Sequence, residues 1–554
     1  MYRLAAACTG LFALTSLALP SFGQCQIQHL VAGDPDALDV FGWGMDLSAD
    51  RMAVGAIGAD EACPTNPMCN SGAVYMYKRN GDSWTFDGKI VNPAGALEDE
   101  FGHDLSISGD SVLVSAHKEG SGAAYIYTFD GLSWIQEARL EGTGLLNNFH
   151  FGHSLTLRGD TAVVGAMRDE GQGFETGSAF VFNKIGGVWT ETHKLEASDA
   201  AMGDRFGRSS AMEGDVIALA SHLHDGIGAD SGAVYVYERD DNGTPGDILD
   251  DTWPEVAALT ASDTEAGLLF GRSVAISGNV MIIGAENGGL NGVMGGCAYI
   301  FFRSGNGWVE VEKIAPDDAA AGDRFGISAS INGDYALIGA VFDDDLGNNA
   351  GAVYVFTRTP SGYFQTGKIY GSDTEAGDQL GHENGVHVVD GTAIISGRFS
   401  DAGGANGTGS TYVFDLDDCL GNNYCDITPN SAGPGAEIRA AGLQSISDNT
   451  FSVISSGCIP NKIGIFFYGQ NHINVPLGNG RLCIGGVARL NPPVIADASG
   501  VATRQVDFTV FPAGSGAFQI TVGSTWSFQH WFRDTDAGGA GFTFSNGVEV
   551  TFIP

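Results

Sequence analysis

Short runs of alternating apolar and polar residues, separated by glycine-rich turns, fill most of this 554-residue chain. In one stretch, Phe325 to Ile331 alternates, Asn332-Gly333-Asp334 forms a tight turn, and Tyr335 to Ala340 is a second, more apolar run. Gly351 to Phe356 and Tyr363 to Ile369 continue the pattern. Runs of this length bounded by turn residues are typical of antiparallel β-strands. We therefore predict a four-stranded sheet here.

The same pattern recurs seven times between residues 24 and 418, at intervals of 50 to 64 residues. Each third strand carries two aromatic residues two positions apart, such as Tyr354 and Phe356. A unit of this length cannot bury both faces alone and must stack on its neighbours. The pattern predicts an all-β, seven-bladed β-propeller. The pairs that open the copies are Phe41-Gly42, Phe101-Gly102, Phe151-Gly152, Phe206-Gly207, Phe270-Gly271, Phe325-Gly326 and Leu380-Gly381.

The seventh copy lacks a fourth strand after Phe414, and the start of the chain carries the missing pattern. In the other copies a Trp or Tyr begins the fourth strand 17 residues before the next pair, and counting back from Phe41 gives Gln24. We predict that residues 24–31 form the outer strand of the seventh blade, which removes an open sheet edge. In that register Cys25 and Cys419 flank a tight hairpin, and we predict a disulfide between them.

Charge and targeting signals indicate an exported protein. Asp and Glu number 66 against 27 Lys and Arg, a formal net charge of −39, which disfavours nucleic acid and anionic membranes as partners. Residues 1–23 contain Arg3, an apolar run and small residues, as expected for a signal peptide. No later run approaches about 20 apolar residues, so we expect no membrane insertion. The expected location is secreted, either extracellular or at the cell surface.

The order Phe-Gly, Gly-Ala and Gly-Ala-Val-Tyr-Val-Tyr resembles the FG-GAP repeats of integrin α-chains and of many secreted bacterial proteins. The resemblance implies binding of partners through loops on one face, and calcium in some blades. The family's calcium loop is Asp-x-Asp-x-Asp-Gly between the first two strands. Here that connection is a two-residue turn such as Gly109-Asp110. This turn is too short to supply the 6–8 oxygens that calcium prefers.

Acidic residues instead crowd two other connections, the one between the second and third strands and the one that leads into each Phe-Gly pair, where Asp34 lies. Asp343, Asp344 and Asp345 lie in a connection of the first kind. A separate insertion between a third and a fourth strand of the fourth copy contains Asp240, Asn242 and Asp247. These six residues are the candidate calcium ligands, with a solvated acidic rim as the alternative. His222 and His224, followed by Asp225, form a weaker pattern for a transition metal, with no third ligand identifiable nearby.

Eight cysteines follow the predicted signal peptide, and export makes disulfides plausible. Cys63 and Cys69 lie in one loop and are predicted to pair with each other. Cys425 and Cys483 are a second predicted pair. Cys297 replaces a small residue of a third strand and is expected to be a buried thiol.

After the repeats, residues 419–435 are rich in Asn, Gly and Pro and are predicted to be a linker. Residues 436–554 contain several alternating runs, which predict a β-sandwich. The predicted strands are residues 436–441, 450–454, 463–468, 506–511, 518–522, 526–532 and 548–553.

Sequence motifs favour binding over catalysis. The chain contains no nucleophile elbow, phosphate loop or zinc-protease helix motif. The first hypothesis is a non-catalytic binding or adhesion protein that recognises protein or polysaccharide through propeller loops or the tail domain. The alternatives are an extracellular hydrolase or lyase using carboxylates of the central channel, and a purely structural envelope protein.

Overall fold

A computed structural model describes residues 26–60, 62–63, 69–81, 83–92, 94–145, 150–244, 246–290, 292–305, 307–359, 362–402, 404–416, 422–424, 429–433, 435–441, 446, 449, 451–521, 523–535 and 540–552. All regular secondary structure in these residues is β-strand. In these ranges no helix is long and apolar enough to cross a membrane.

Seven four-stranded antiparallel sheets occupy the described part of the chain up to residue 416. In chain order their strands are Gln26–Leu30 (β1), Phe41–Leu47 (β2), Arg51–Ala56 (β3), Ala73–Asn80 (β4), Ser83–Val91 (β5), Leu105–Ser108 (β6), Ser111–Ala116 (β7), Ala123–Phe129 (β8), Trp134–Leu140 (β9), Phe151–Arg158 (β10), Thr161–Ala166 (β11), Ser178–Ile185 (β12), Val188–Leu195 (β13), Ser210–Glu213 (β14), Val216–Ser221 (β15), Ala233–Glu238 (β16), Glu255–Leu259 (β17), Phe270–Ser277 (β18), Val280–Ala285 (β19), Cys297–Ser304 (β20), Gly307–Ile314 (β21), Phe325–Asn332 (β22), Tyr335–Ala340 (β23), Ala352–Thr359 (β24), Gly362–Ile369 (β25), Val386–Val389 (β26), Thr392–Gly397 (β27) and Ser410–Asp415 (β28).

Six of these sheets consist of four consecutive strands, and the remaining one has the order β1-β28-β27-β26. In that sheet β1 pairs antiparallel with β28, so that His29 lies opposite Tyr412 and Leu30 opposite Thr411. This is the pairing predicted from the register of the repeats. Cys25 and Cys419, predicted to be joined beside this strand pair, lie outside the described residues.

The first strands of consecutive sheets contact each other in a closed cycle: β2 with β6, β6 with β10, β10 with β14, β14 with β18, β18 with β22, β22 with β26, and β26 with β2. Sheets arranged radially around one axis in this way form a β-propeller. Between sheets the backbones approach closely at a glycine. A Cβ on Gly72, which has φ +84°, would lie 2.1 Å from the carbonyl oxygen of Phe101 in the next sheet.

Hydrophobic clusters hold each sheet against the next. In one cluster Ala53, Val74 and Met76 of the first sheet pack with Tyr125 and Tyr127 of the second. The aromatic pair of each third strand therefore packs on the preceding sheet, and each buried side chain contributes roughly 1.5–3 kcal/mol. A cluster of the same type closes the ring. In it, Leu30, Ile394 and Val413 of the closing sheet pack against residues of the first sheet.

The tail contains a five-stranded sheet, a three-stranded sheet and a hairpin. Its strands are Asn422–Tyr424 (β29), Glu437–Ala441 (β30), Ser452–Ser456 (β31), Ile463–Gly469 (β32), Asn471–Leu477 (β33), Gly480–Gly485 (β34), Ala488–Ile495 (β35), Ala502–Gln505 (β36), Thr525–Arg533 (β37) and Phe542–Thr551 (β38). The five-stranded order is β29-β38-β37-β32-β35 and the three-stranded order is β30-β31-β36. One core contains Ile438 and Val453 of the smaller sheet with Phe466, Phe528 and Val548 of the larger.

Three tail predictions need correction. The predicted linker contains β29, which pairs with β38, so this segment belongs to the tail sheet. Residues 506–511 and the described residues 518–521 are not strands. Asp507 explains the first case, because its carboxylate accepts hydrogen bonds from the backbone N–H (2.9 Å) and hydroxyl (2.6 Å) of Thr509. Such local bonds favour a turn over a sheet ladder.

Candidate functional site

The residue directly after each aromatic–glycine or leucine–glycine pair faces the propeller axis. Contacts between different sheets show this: the Trp43 ring lies 5.9 Å from that of His103 and 5.7 Å from that of His382. Arg208 and Arg272 reach across the axis to Glu383 of the closing sheet. We call these seven residues the central ring. They are Trp43, His103, His153, Arg208, Arg272, Ile327 and His382.

A cavity of about 490 Å³ lies along the axis between the central ring and the turns that join first and second strands. His153, Arg208, Arg272 and Glu383 line its inner end. Serine and threonine residues of the first strands line its wall, and the turn residue Gly109 lies near its mouth. We call this space the central cavity. Its polar lining contrasts with the apolar clusters between sheets.

Glu383 reaches the axis because the first strand of the closing sheet carries a two-residue bulge. In the sixth sheet Phe325 lies four residues before Ala329, whose partner is Ile338. In the closing sheet the residue at the same pairing position is Val386, whose partner is Ile395, and Leu380 lies six residues before it. Asn384 in the bulge has φ +58°, a left-handed conformation that asparagine tolerates. The sequence carries one sign of this bulge: Leu380 lies 16 residues before Ser396, whereas Phe325 lies 14 residues before the equivalent Gly339.

Serine occupies the position of Glu383 in four other sheets, and in three of them its hydroxyl joins one sheet to the next. The hydroxyls of Ser154, Ser273 and Ser328 donate to a glycine carbonyl oxygen of the next sheet at 2.8–2.9 Å. Glu383 instead accepts from Arg208 and, at 3.1 Å, from Arg272. This repeat position therefore holds the ring together in some sheets and supplies a charge to the cavity in another.

An ion-pair network surrounds the inner end of the central cavity. Arg272 Nε donates to Glu286 Oε1 at 3.0 Å, and Arg324 lies 3.7 Å from the other oxygen of Glu286. Burial would raise the pKa of Glu383, but the charge of Arg272 and the nearby His153 and His103 lower it to about 2. Glu383 is therefore ionised near neutral pH. One nitrogen of Arg272, Nη1, is buried with no hydrogen-bond partner among the described residues.

Four histidines form a cluster beside this network. The His103 ring lies 3.9 Å from that of His117 and 5.2 Å from that of His153, and the His117 ring lies 5.1 Å from that of His150. The Nδ1 atom of each is buried without a partner within the described ranges. Burial lowers the pKa of His103 and of His150 to about 4. The cluster is therefore neutral at physiological pH.

Two aspartates line the cavity wall and join neighbouring first strands. Asp46 accepts from the N–H of Ile107 at 2.6 Å, and Asp104 accepts from the N–H of Leu155 at 2.7 Å. Burial raises the pKa of Asp104 well above its usual range. Burial acts in the same direction on Asp46, but the hydrogen bond and charge of His387 outweigh it and lower the pKa of Asp46.

The predicted calcium ligands Asp343, Asp344 and Asp345 do not converge on a metal position. Lys368 Nζ lies 2.6 Å from Asp343 and 2.7 Å from Asp345, while Asp344 accepts from the N–H of Asn349. An ammonium group of the chain itself thus takes the place expected for the metal. Among the described residues, no group of three His, Cys, Asp or Glu side chains is arranged to hold a metal ion.

The second predicted calcium loop is organised by hydrogen bonds within the loop. Asp240 accepts from the N–H of Asn242 at 2.9 Å, and the Asn242 amide donates to the carbonyl oxygen of Asp250. Asp247 accepts from the N–H of Leu249 at 3.3 Å. The side chains of Asp240, Asn242 and Asp247 therefore bond to the loop itself and do not converge on a metal position.

His222 and His224 lie in different environments, which disagrees with the alternative of a shared transition metal. His222 is buried, and burial lowers its pKa to about 4. His224 Nδ1 lies 3.1 Å from Asp204, and this contact raises the pKa of His224. A disulfide joins Cys63 and Cys69, the pair placed in one loop by the sequence. Cys483 is disulfide-bonded, and its predicted partner Cys425 lies outside the described residues.

Comparison with known proteins gives one family and no detailed function. The model of the FG-GAP repeat matches residues 25–77, 84–127, 134–182, 189–237, 253–301 and 308–356, together just over half of the chain. A search of curated proteins gave no match. Among solved structures, Sqt1 from Saccharomyces cerevisiae is similar over 71% of this chain and 98% of its own, with 12% identity and a TM-score of 0.38.

Proposed function

Because the chain belongs to the FG-GAP repeat family, we propose that it is a non-catalytic binding protein of the cell exterior. We further propose a seven-bladed propeller over residues 24–418, closed by its N-terminal strand, and a β-sandwich over residues 436–554. The seven four-stranded sheets and their closed cycle of contacts support the first part. The core shared by the two tail sheets supports the second.

The central cavity is the observation that carries the binding role. Its volume falls in the usual range for small-molecule sites, roughly 300–1,000 Å³. Charged side chains occupy its inner end and hydroxyl groups its wall, so the cavity offers polar contacts to a ligand. The central ring differs from sheet to sheet, in contrast to the nearly constant aromatic–glycine pairs. Variation at inward positions of a constant scaffold is where recognition is expected.

An extracellular location agrees with two observations. The disulfide between Cys63 and Cys69 is of a kind that persists in oxidising compartments. Residues 1–23 have the composition of a signal peptide. Protein and polysaccharide are the proposed partner classes, bound through the propeller or the tail, and the net charge of −39 opposes nucleic acid.

The test measures binding and turnover with the same preparation, the full chain without residues 1–23. Glycan and protein panels are screened for binding, and each bound polysaccharide is incubated and analysed for shorter products. We expect binding without products. Ser210→Trp fills the central cavity from its wall, where Ser210 lies 3.2 Å from Thr156, and is expected to abolish binding of ligands that use the cavity. Release of shorter products would overturn the non-catalytic proposal.

A hydrolase or lyase is the second candidate, and one observation favours it. Asp46 and Asp104 line the same cavity and their pKa values are shifted in opposite directions. Two carboxyl groups whose pKa values differ in this way can act as base and acid. Both also bond backbone N–H groups, which accounts for them structurally. Asp104→Asn keeps a hydrogen-bond acceptor, so a loss of turnover in a folded variant would favour catalysis.

A further inference from the structure

We propose that the central cavity binds the carboxylate of a hydroxylated acid of monosaccharide size, such as a free uronic acid. This inference rests on the proposed binding function and specifies its ligand. The inner end of the cavity provides the charge, an unpaired donor and the enclosing wall that such a ligand requires.

The charge at the inner end is positive although the protein is strongly acidic. Arg208 and Arg272 line it and both contact one carboxylate, Glu383. The neighbouring histidines are neutral because burial lowers the pKa of His103 to about 4 and that of His153 well below its usual value. These side chains of the inner end have one more positive than negative charge, while Asp46 and Asp104 lie on the wall of the cavity. A single anion entering the cavity would reduce this excess.

Two polar atoms at the inner end lack partners within the described residues. Arg272 Nη1 is buried and unpaired, although its Nε and Nη2 atoms bond Glu286 and Glu383. His153 Nδ1 is also buried and unpaired, on a side chain only 7% exposed. Buried donors are rarely left without an acceptor. A carboxylate is the acceptor that suits a guanidinium best, because the charge-assisted bond is short and strong.

The wall of the cavity suits a ligand that also carries hydroxyl groups. Ser209, Ser210, Ser273, Ser328 and Thr156 line it. Ser273 and Ser328 donate their hydroxyl protons to carbonyl oxygens of the next sheet, which leaves their lone pairs able to accept from a ligand. An apolar acid would leave these remaining lone pairs without a donor. A sugar acid offers one carboxylate for the arginine end and several hydroxyls for the wall.

Size and charge favour a free acid over an acidic polymer. A volume of about 490 Å³ accommodates a small acid of one or two sugar units but not a long chain. A polyanion would also remain exposed to a surface whose formal net charge is −39, and the repulsion would grow with each additional unit. Binding of the polymer in preference to the monomer is therefore an outcome that would contradict this ligand assignment.

The experiment is titration calorimetry on the full chain without residues 1–23, with glucuronate, galacturonate, glucose and a polygalacturonate of defined length. We expect both monomeric acids to bind at least tenfold more tightly than glucose. Arg272→Gln should weaken acid binding at least tenfold. The matched control is Arg303→Gln, since Arg303 pairs with Glu238 on outer strands away from the cavity and should leave the affinity unchanged. Circular dichroism verifies that each variant is folded.

The outcomes separate this inference from the proposed function. Equal affinity for glucuronate and glucose, or an unchanged affinity in folded Arg272→Gln, would overturn the carboxylate site. Suppose that the acids fail to bind, while another ligand of the panel binds the unaltered protein and not the Ser210→Trp variant. The binding function then stands and the ligand class is wrong. If no ligand of either experiment binds, the binding function fails as well.

Discussion

A cation, an aromatic ring and a carboxylate form the same contact in most of the propeller sheets. Lys89 Nζ lies 4.5 Å from the ring centroid of Tyr75, and both bond Asp34. In the sheet of β18–β21, Lys313 and Tyr299 bond Asp263 in the same way. These carboxylates, which look like a cation-binding rim in the sequence, are therefore neutralised by side chains of the chain itself.

The contact at Lys368 should stabilise the fold most, because its members are buried. Lys368 is 4% exposed and its partner Asp343 is 3% exposed. Lys368 also contacts Asp318 and Asp345. Lys368→Met leaves these acids without their cation and is expected to cost about 3–5 kcal/mol. Urea unfolding of the variant and of the unaltered protein measures this difference in unfolding free energy. The control is Lys313→Met, whose partner Asp263 is half exposed, with an expected cost within about 1 kcal/mol. An equal loss of unfolding free energy in the two variants would show that burial does not strengthen the contact at Lys368.

The buried histidines should make stability depend on pH. Burial lowers the pKa of His103 and of His222 to about 4, whereas an unfolded histidine titrates near about 6.5. Between these values the unfolded chain binds protons that the folded chain does not, so stability is present above about pH 6.5 and is lost as the pH falls towards 4. Burial raises the pKa of Asp323 and of Asp378 to about 6, which acts in the opposite direction.

Comparison with a variant isolates the histidine contribution from that of the aspartates. Replacing His103 and His222 together by Gln should reduce the loss in unfolding free energy between pH 7.5 and pH 4.5. The expected reduction is roughly 1–3 kcal/mol per histidine. Urea unfolding of both proteins at each pH provides the four values. A pH dependence identical to that of the unaltered protein would refute the assignment.

At the scale of elements, β1 joins the two ends of the ring through side chains as well as backbone. Gln28 accepts from the N–H of Trp84 at 2.7 Å and donates to its carbonyl oxygen at 2.8 Å, which links the closing sheet to the first. Gln26 accepts from the N–H of Ser372 at 2.8 Å. Gln365 makes the equivalent bond, to the N–H of Asp317, in the sixth sheet. β1 therefore behaves as an ordinary fourth strand.

Loss of β1 packing should open the ring. Leu30 is 6% exposed and belongs to the cluster between the closing and first sheets, whereas Ile27 on the same strand is 39% exposed. Leu30→Asp buries an unpaired charge and is expected to cost about 3–5 kcal/mol. Hydrogen exchange of the β28 amides should accelerate. Ile27→Asp is the matched control and should change stability by no more than about 0.5 kcal/mol. Unchanged exchange in Leu30→Asp would show that β1 does not hold the closure.

The repeat allowed the position of β1 to be predicted, because six other copies fixed the register. The same regularity hid the central site. His103, His153 and His382 occupy an ordinary repeat position that does not mark them as functional, and Glu383 depends on a bulge that shows only as a longer interval between Leu380 and Ser396. A useful signal is present in the sequence: the position after each glycine varies, while the aromatic–glycine pair before it is nearly constant. In the tail no repeat fixes the register, and the loop around Asp507 was mistaken for a strand.

At the scale of the whole molecule, charge is distributed unevenly. The formal net charge is −39, yet at the inner end of the central cavity Arg208 and Arg272 share one carboxylate, Glu383. Some acids on the outside pair with lysines, arginines and histidines, but Asp and Glu number 66 against 27 Lys and Arg, so the excess negative charge is spread over the surface. An anion that approaches the molecule meets repulsion at long range and attraction only at the arginine end of the cavity. Raising the salt concentration should therefore speed its association, because the surface repulsion is screened first.

Closure of the ring concerns the whole molecule as well, since its ends lie almost 400 residues apart in the sequence. The predicted Cys25–Cys419 disulfide would close that loop and restrict the unfolded chain far more than the bond between Cys63 and Cys69. The chain-entropy estimate is about 6 kcal/mol for the long loop and about 2 kcal/mol for the six-residue one. Replacing Cys25 and Cys419 by Ala should therefore lower Tm more than replacing Cys63 and Cys69. Peptide mapping without reductant tests the bond directly, and a free Cys25 thiol in the purified protein would remove the basis for this prediction.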